Sequence, residues 1–520
     1  MKRQFLMLLL IGVLLALPLQ ARHTEPFHGL KFDALPTLWD EAIPLGNGII
    51  GNLIWEKEGR LRIALDRADL WDLRPVKEFE SPDYSYQFVC DQVINKKDVS
   101  KVQALIDDRS RKDCAPTKIP VGAIEFPISQ LGKVKAVQLD VQTAVCTITW
   151  ECGATASFFT DAVSGMGYFR FTNLPEALSV ELETPRYEDN GSEVQKVVAP
   201  RTHLLTRLGY KNGKITRRNN QIVYRQKAYG KVAYEVALQW DTPQPDVLEG
   251  KYCITTQGTW YSEKEQASEL LKTSAKDFDT ALAGHLDWWK AYWEKSQIDL
   301  PDKTLEHQWY MEMYKFGAAS RKNAPPICLQ AVWTADNGQT PPWRGDFHSD
   351  LNTQLSYWPG YVANHLEESE VFTDWLWKIK ENGEAFTRRF FGVEGLNIPC
   401  IATLEGKAIG GWSPYSHQPT TSGWLAQSFY LQWKYSADRT FLEERAYPWV
   451  KEVARYFENV SVKDKDGKRN SRLSLGPLLS QRFRSQHIVR EISAKRITVE
   501  IHPAVQPRHQ RLIRTKIDTG

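Results

Sequence analysis

Residues 341–360, PPWRGDFHSDLNTQLSYWPG, gather two Trp, a Tyr, two carboxylates, an Arg, a His and an Asn into twenty positions. Aromatic faces stack on the C–H faces of a pyranose, while carboxylate, amide and guanidinium groups hydrogen-bond its hydroxyls. The plainer reading of the same segment is a buried helix start with packing aromatics. Its neighbours favour the sugar chemistry, because Trp333, Asp336, Asn337, His365, Trp375 and Trp377 extend the same mixture on both sides.

Within this segment Trp343, Arg344, Asp346 and His348 precede a helix and are candidates for sugar contact. Trp412, Tyr415 and His417 lie on a second Gly/Pro/Ser loop, residues 410–424, where loop packing is the competing role. Trp358, Trp375, Trp377, Trp424 and Trp433 recur at helical spacing and read as core.

The elements that must carry these residues change type along the chain. From about residue 32 to 258, short alternating runs such as 61–65, 137–141, 145–150, 154–159 and 232–240 predict antiparallel strands of a large sandwich. Residues 264–295 carry apolar side chains at three- and four-residue steps and predict a connecting helix. Beyond Pro301, blocks at 305–322, 351–364, 370–383, 423–435 and 440–460 predict helical hairpins around a common axis.

Composition narrows the class. Hydrophobic content of 42%, charge of 25% and a formal net charge of +3 are those of a globular protein without a nucleic-acid footprint. With 19 Trp, 20 Tyr and 21 Phe, extended aromatic surfaces are favoured instead. Lys2 and Arg3 precede an apolar run from Phe5 to Leu17 and a small residue at Ala21, the layout of a cleaved secretory signal peptide, so secretion or a periplasmic location is expected and stable membrane insertion is not. Seven Cys without metal spacing leave one or two disulfides and isolated buried thiols both open. No metal or organic cofactor is implied.

Two ordered motifs carry a family resemblance. Residues 39–48, WDEAIPLGNG, running on to Gly51-Asn52 and to the LDRADLW of 65–71, resemble the N-terminal "ALPLGNG" signature of glycoside hydrolase family 95. Residues 350–359, DLNTQLSYWP, are similar to that family's "NINTEMNYWP" helix start, and TSGWL at 421–425 and AYP at 446–448 resemble its "GGAWL" and "YP" positions. The resemblance implies a β-sandwich, a helical linker and an (α/α)6 barrel. It also implies inverting hydrolysis of terminal α-L-fucosides, or sometimes α-L-galactosides, of glycans. In the family two Asn hold the attacking water, with a distant Asp, and the Glu of a "S-P-E" loop is the acid. Asn352 matches the second Asn, whereas the first position is Asp350. A carboxylate can take the proton from water where an amide only orients it, so Asp350 is expected as base and Asn352 as water-positioning residue. The competing role for Asp350 is a helix N-cap.

The expected division is therefore a signal peptide at 1–21, a sandwich domain at 22–262, a helical linker at 263–300, a partial (α/α)6 catalytic domain at 301–475, and an anomalous basic tail at 476–520. Residues 481–520 hold nine Lys+Arg against three Asp+Glu. No Ser-Pro-Glu occurs near 475–500, and reading the codons for 477–483 one base earlier can spell that loop, so an out-of-frame tail and an impaired enzyme are expected. Glu405 is a weak substitute for the acid. Two other functions remain open: an inverting glycoside phosphorylase, in which Asp350 would repel the phosphate, and a non-catalytic carbohydrate-binding protein.

Overall fold

The computed structural model describes residues 27–108, 112–189, 202–274, 276–411, 413–416, 418–470 and 473. The expected signal peptide and the basic tail lie outside the described residues, as do Trp412 and His417.

Alternating sequence produces alternating burial. In Val145–Trp150 every second side chain is buried, because successive residues of a strand point to opposite faces. Nine strands form one antiparallel sheet in the order Gly29–Phe32, Val134–Asp140, Val145–Trp150, Thr155–Thr160, Met166–Thr172, Val247–Gln257, Ala233–Gln244, Gln221–Lys227 and Lys214–Arg218. Five more, Glu181–Glu183, Gly122–Pro127, Arg60–Arg67, Ile50–Lys57 and Ile43–Gly46, form the facing sheet. Aromatics join the two layers: the Phe126 ring lies 5.0 Å from Phe169 and 4.8 Å from Phe171 across the interior.

The expected connecting helix divides into Ala267–Thr273 and Phe278–Glu294. The longer piece, here α1, starts where the Asp277 carboxylate accepts from Thr280 N, and Trp293 Nε1 donates to Val141 O at 3.0 Å, which fixes it on the large sheet. Next comes α2, Lys303–Ala319, with Asp302 as its N-cap. Tyr314 of α2 donates to Pro44 O in the small sheet at 2.7 Å.

Helices α3 (Asn352–Val362), α4 (Leu366–Lys378), α5 (Thr421–Ser436) and α6 (Tyr447–Val460) follow. They pack in succession, α2 on α3, α3 on α4, and α5 on α3, α4 and α6. One hydrophobic core runs without interruption from the sandwich into these helices. All seven cysteines are free thiols, six of them buried. No helix among the described residues is long and apolar enough to cross a membrane.

Candidate active site

The segment before α3 is held in an unusual backbone shape. Trp343, Arg344 and Gly345 have φ values of 55°, 66° and 65°, three successive left-handed residues. A non-glycine residue there costs roughly 1–2 kcal/mol, so the turn persists because its surroundings impose it. Thr117 Oγ1 donates to Arg344 O, and the Lys118 stem fills the space against Gly345. Lys118 is itself buried and bound to Asp66 at 2.6 Å. Arg344, 2% exposed, turns inward and donates to the Asp113 carbonyl. There its guanidinium braces the loop from within.

Past this turn the chain forms a two-residue bridge, Phe347 opposite Ala402 and His348 opposite Ile401, continued by Ser349 N donating to Cys400 O at 2.7 Å. Phe347 anchors it, stacked between Trp375 at 4.6 Å and Trp71 at 6.0 Å. Two side chains of α3 then reach back: Thr353 Oγ1 to His348 O and Gln354 Nε2 to Ser349 O, both at 2.9 Å.

Asp350 stands on the turn so enclosed. The N-cap of α3 is Leu351, without a side-chain capping bond, so the aspartate is not spent on capping. Its Oδ1 is buried and has no hydrogen-bond partner among the described residues. Asn352, the first residue of α3, is exposed beside it. Asp346 and His348 are both buried; Oδ1 and Nδ1 approach to 2.9 Å, although not along a hydrogen-bonding direction. Trp343 is half-buried on the loop. Cys400 feels the charges of Asp350 and Asp346, and its thiol, pushed up by burial first and by both carboxylates, is not a nucleophile.

The described part of the second loop is tied to residues 106–107 and to Cys400. Gly411 N donates to Ile106 O, Ser413 donates to the Asp107 carboxylate, and the Cys400 thiol contacts Gln418 Oε1 at 3.7 Å. Tyr415 is half-buried against the main core. Glu405 is held by Lys407 at 2.7 Å in the turn beyond Ile401–Ala402. None of the principal depressions among the described residues is lined by Asp350.

Several aromatic and acidic neighbours of the segment have structural duties. Asp336 accepts from Trp55 Nε1 at 2.9 Å and pairs with Arg62, while Trp333 Nε1 donates to Leu45 O, so both dock the loop on the small sheet. Trp375 is fully buried and donates to Leu404 O, as its helical spacing predicts. Reading the sequence missed Thr353 and Gln354; their spacing of five residues from His348 and Ser349 is the trace they leave in it.

The described residues thus form a β-sandwich leading into paired helices, with a carboxylate just before a helix start. The Glycosyl hydrolase family 95 catalytic domain matches residues 283–494, and the Glycosyl hydrolase family 65, N-terminal domain matches residues 30–270. Over 523 residues the chain is 19% identical to "Alpha-L-fucosidase 2" of Arabidopsis thaliana, covering 86% of this chain and 60% of that protein. It is 27% identical over 163 residues, 30% of this chain and 20% of the other, to "Probable alpha-fucosidase A" of Aspergillus niger. Among solved structures, "Putative kojibiose phosphorylase from human microbiome" superposes with a TM-score of 0.59 at 13% identity, over 88% of this chain and 60% of that one. The C-terminal part of the chain is thus similar to the glycoside hydrolase family 95 catalytic domain, and the chain spans about 60% of the length of the Arabidopsis relative.

Proposed function

We propose that this site hydrolyses terminal α-L-fucosides, or α-L-galactosides, with inversion, on helices that form part of an (α/α)6 toroid. The observation that carries the reading is the enclosed, unpartnered Asp350 Oδ1 beside exposed Asn352. Asn352 orients a water; Asp350 takes its proton as the oxygen attacks the anomeric carbon from the face opposite the leaving group. The glycosidic C–O bond breaks; with no Ser-Pro-Glu acid near 475–500 in this sequence, the leaving oxygen departs as the anion and takes its proton from water, which impairs turnover of all but activated leaving groups. Trp343 offers a stacking face, and the Asp346–His348 pair offers hydroxyl partners.

An aryl α-L-fucoside with an activated leaving group needs no acid and isolates the base. On it, Asp350→Ala is expected to lower kcat by about 10²–10⁴ with little change in KM, the usual worth of a positioned base. Wild-type turnover that Asp350→Ala leaves unchanged refutes the assignment. The phosphorolytic alternative predicts that turnover requires phosphate and yields a sugar phosphate; Asp350 opposes it by repelling the anion.

A further inference from the structure

Outside this site, one buried cation lacks a hydrogen-bond partner among the described residues. Arg321 follows α2 directly; it is 9% exposed, and none of Nε, Nη1 and Nη2 has a hydrogen-bond partner among the described residues. Its guanidinium lies over the Trp288 ring at 3.1 Å, with Trp289 at 5.3 Å. Buried guanidinium groups are ordinarily paired, since an unpaired charge loses its hydration without replacement. Burial pushes this one down to about 9, with Glu368 the strongest opposing influence.

The nearby acceptors are already engaged. Glu368 receives Lys295 Nζ at 2.8 and 3.1 Å. Asp161 accepts from Val163 N, Ser164 N and Ser164 Oγ. Tyr292 donates its hydroxyl to Met313 O.

Arg321 lines a cleft of about 460 Å³ between the 162–165 turn, α1 and the start of α4. Three cations, Lys295, Arg321 and Lys322, face two carboxylates, Glu367 and Glu368, across it. Lys322 is exposed and only 3.8 Å from Glu367, a loose contact. The LGNG turn is shaped around the same arginine: Gly48 has φ +83°, and a Cβ there would fall 2.6 Å from Arg321 Cβ. Asn47 fixes that turn by donating to Asp161 O and Ser164 O, both at 2.9 Å. The cleft shares no residue with the Asp350 loop and adjoins the other end of α3, about 16 Å along its eleven residues.

We infer that this cleft binds an oxyanion, carried by inorganic phosphate or by the carboxylate of an acidic sugar, with Arg321 as its principal ligand and Lys322 at its rim. The site is independent of glycoside turnover, so its test reads binding alone. Calorimetry and tryptophan fluorescence on the full chain carrying Asp350→Ala follow titration with phosphate or glucuronate at constant ionic strength set by chloride. Saturable binding of either anion is expected, weakened about tenfold or more in Arg321→Met, which keeps the apolar stem over Trp288. Phosphate binding with glucuronate inert assigns a free oxyanion; the reverse assigns an acidic sugar. Saturation by neither, or equal affinity in Arg321→Met, overturns the site. Should that variant not fold, Lys322→Gln replaces it, with affinity expected to fall about threefold; unchanged affinity there overturns the inference.

Discussion

An aspartate at the first turn of a helix ordinarily caps it, and Asp350 does not. Its carboxylate is retained, enclosed and unengaged on one oxygen, beside an exposed amide. If the amide pair of related enzymes can do the same work by orientation, Asp350→Asn should recover part of the activity that Asp350→Ala loses, because Asn still holds the water. Steady-state rates on the activated fucoside check this; an Asn variant as slow as Ala shows that proton removal, not orientation, limits the rate. The motif that reveals Asp350 and Asn352 in the sequence says nothing of Arg344. Its inward turn follows from three left-handed residues braced by Thr117 and Lys118, more than 220 positions away in the chain, a contact no local pattern encodes.

The elements around the loop are pinned by aromatic stacking and close backbone approach. Phe347→Ala would remove the ring between Trp71 and Trp375 and should destabilise the fold by about 3–5 kcal/mol, measured by urea unfolding. A loss below about 1 kcal/mol would show that the stack does not hold the loop. Gly51 lies in the segment that resembles the family signature, and a Cβ there would lie 1.7 Å from Val332 O. Gly51→Ala should therefore separate the 332 loop from the small sheet and cost several kcal/mol, whereas an unchanged melting temperature would remove this reason for the glycine. Strands were legible because period-two alternation survives wherever one face is buried, as in Val145–Trp150. Helix boundaries were less so: the expected 370–383 block is α4 followed by a separate helix, Lys380–Phe386, with no proline or glycine marking the break at Ile379. The signature glycines carried the family resemblance without revealing that they dock sandwich to helices.

For the whole molecule, buried titratable groups set the pH range of stability. His285 accepts from Ala162 N on Nδ1 and donates to Thr143 O from Nε2, a neutral ring, and burial lowers its pKa to about 4. Burial of Glu368 opposes its charge, yet His365 and Lys295 hold it at about 2. In both cases the unfolded chain binds a proton at a pH where the folded chain does not. Stability should therefore fall as pH drops from about 6.5 towards 4 through His285, and from about 4.5 towards 2 through Glu368, by up to roughly 3 kcal/mol each. Urea denaturation across this range measures it, and a flat profile between pH 6.5 and 4 would contradict the neutral, buried His285. The claim on which the functional reading rests is the side from which water attacks the anomeric carbon. Time-resolved proton NMR of an activated α-L-fucoside during turnover tests it most directly: β-L-fucose should appear first from the wild-type chain and form far more slowly with Asp350→Ala, whereas α-L-fucose appearing first, or an Asp350→Ala chain as fast as wild type, would contradict an inverting base at this turn.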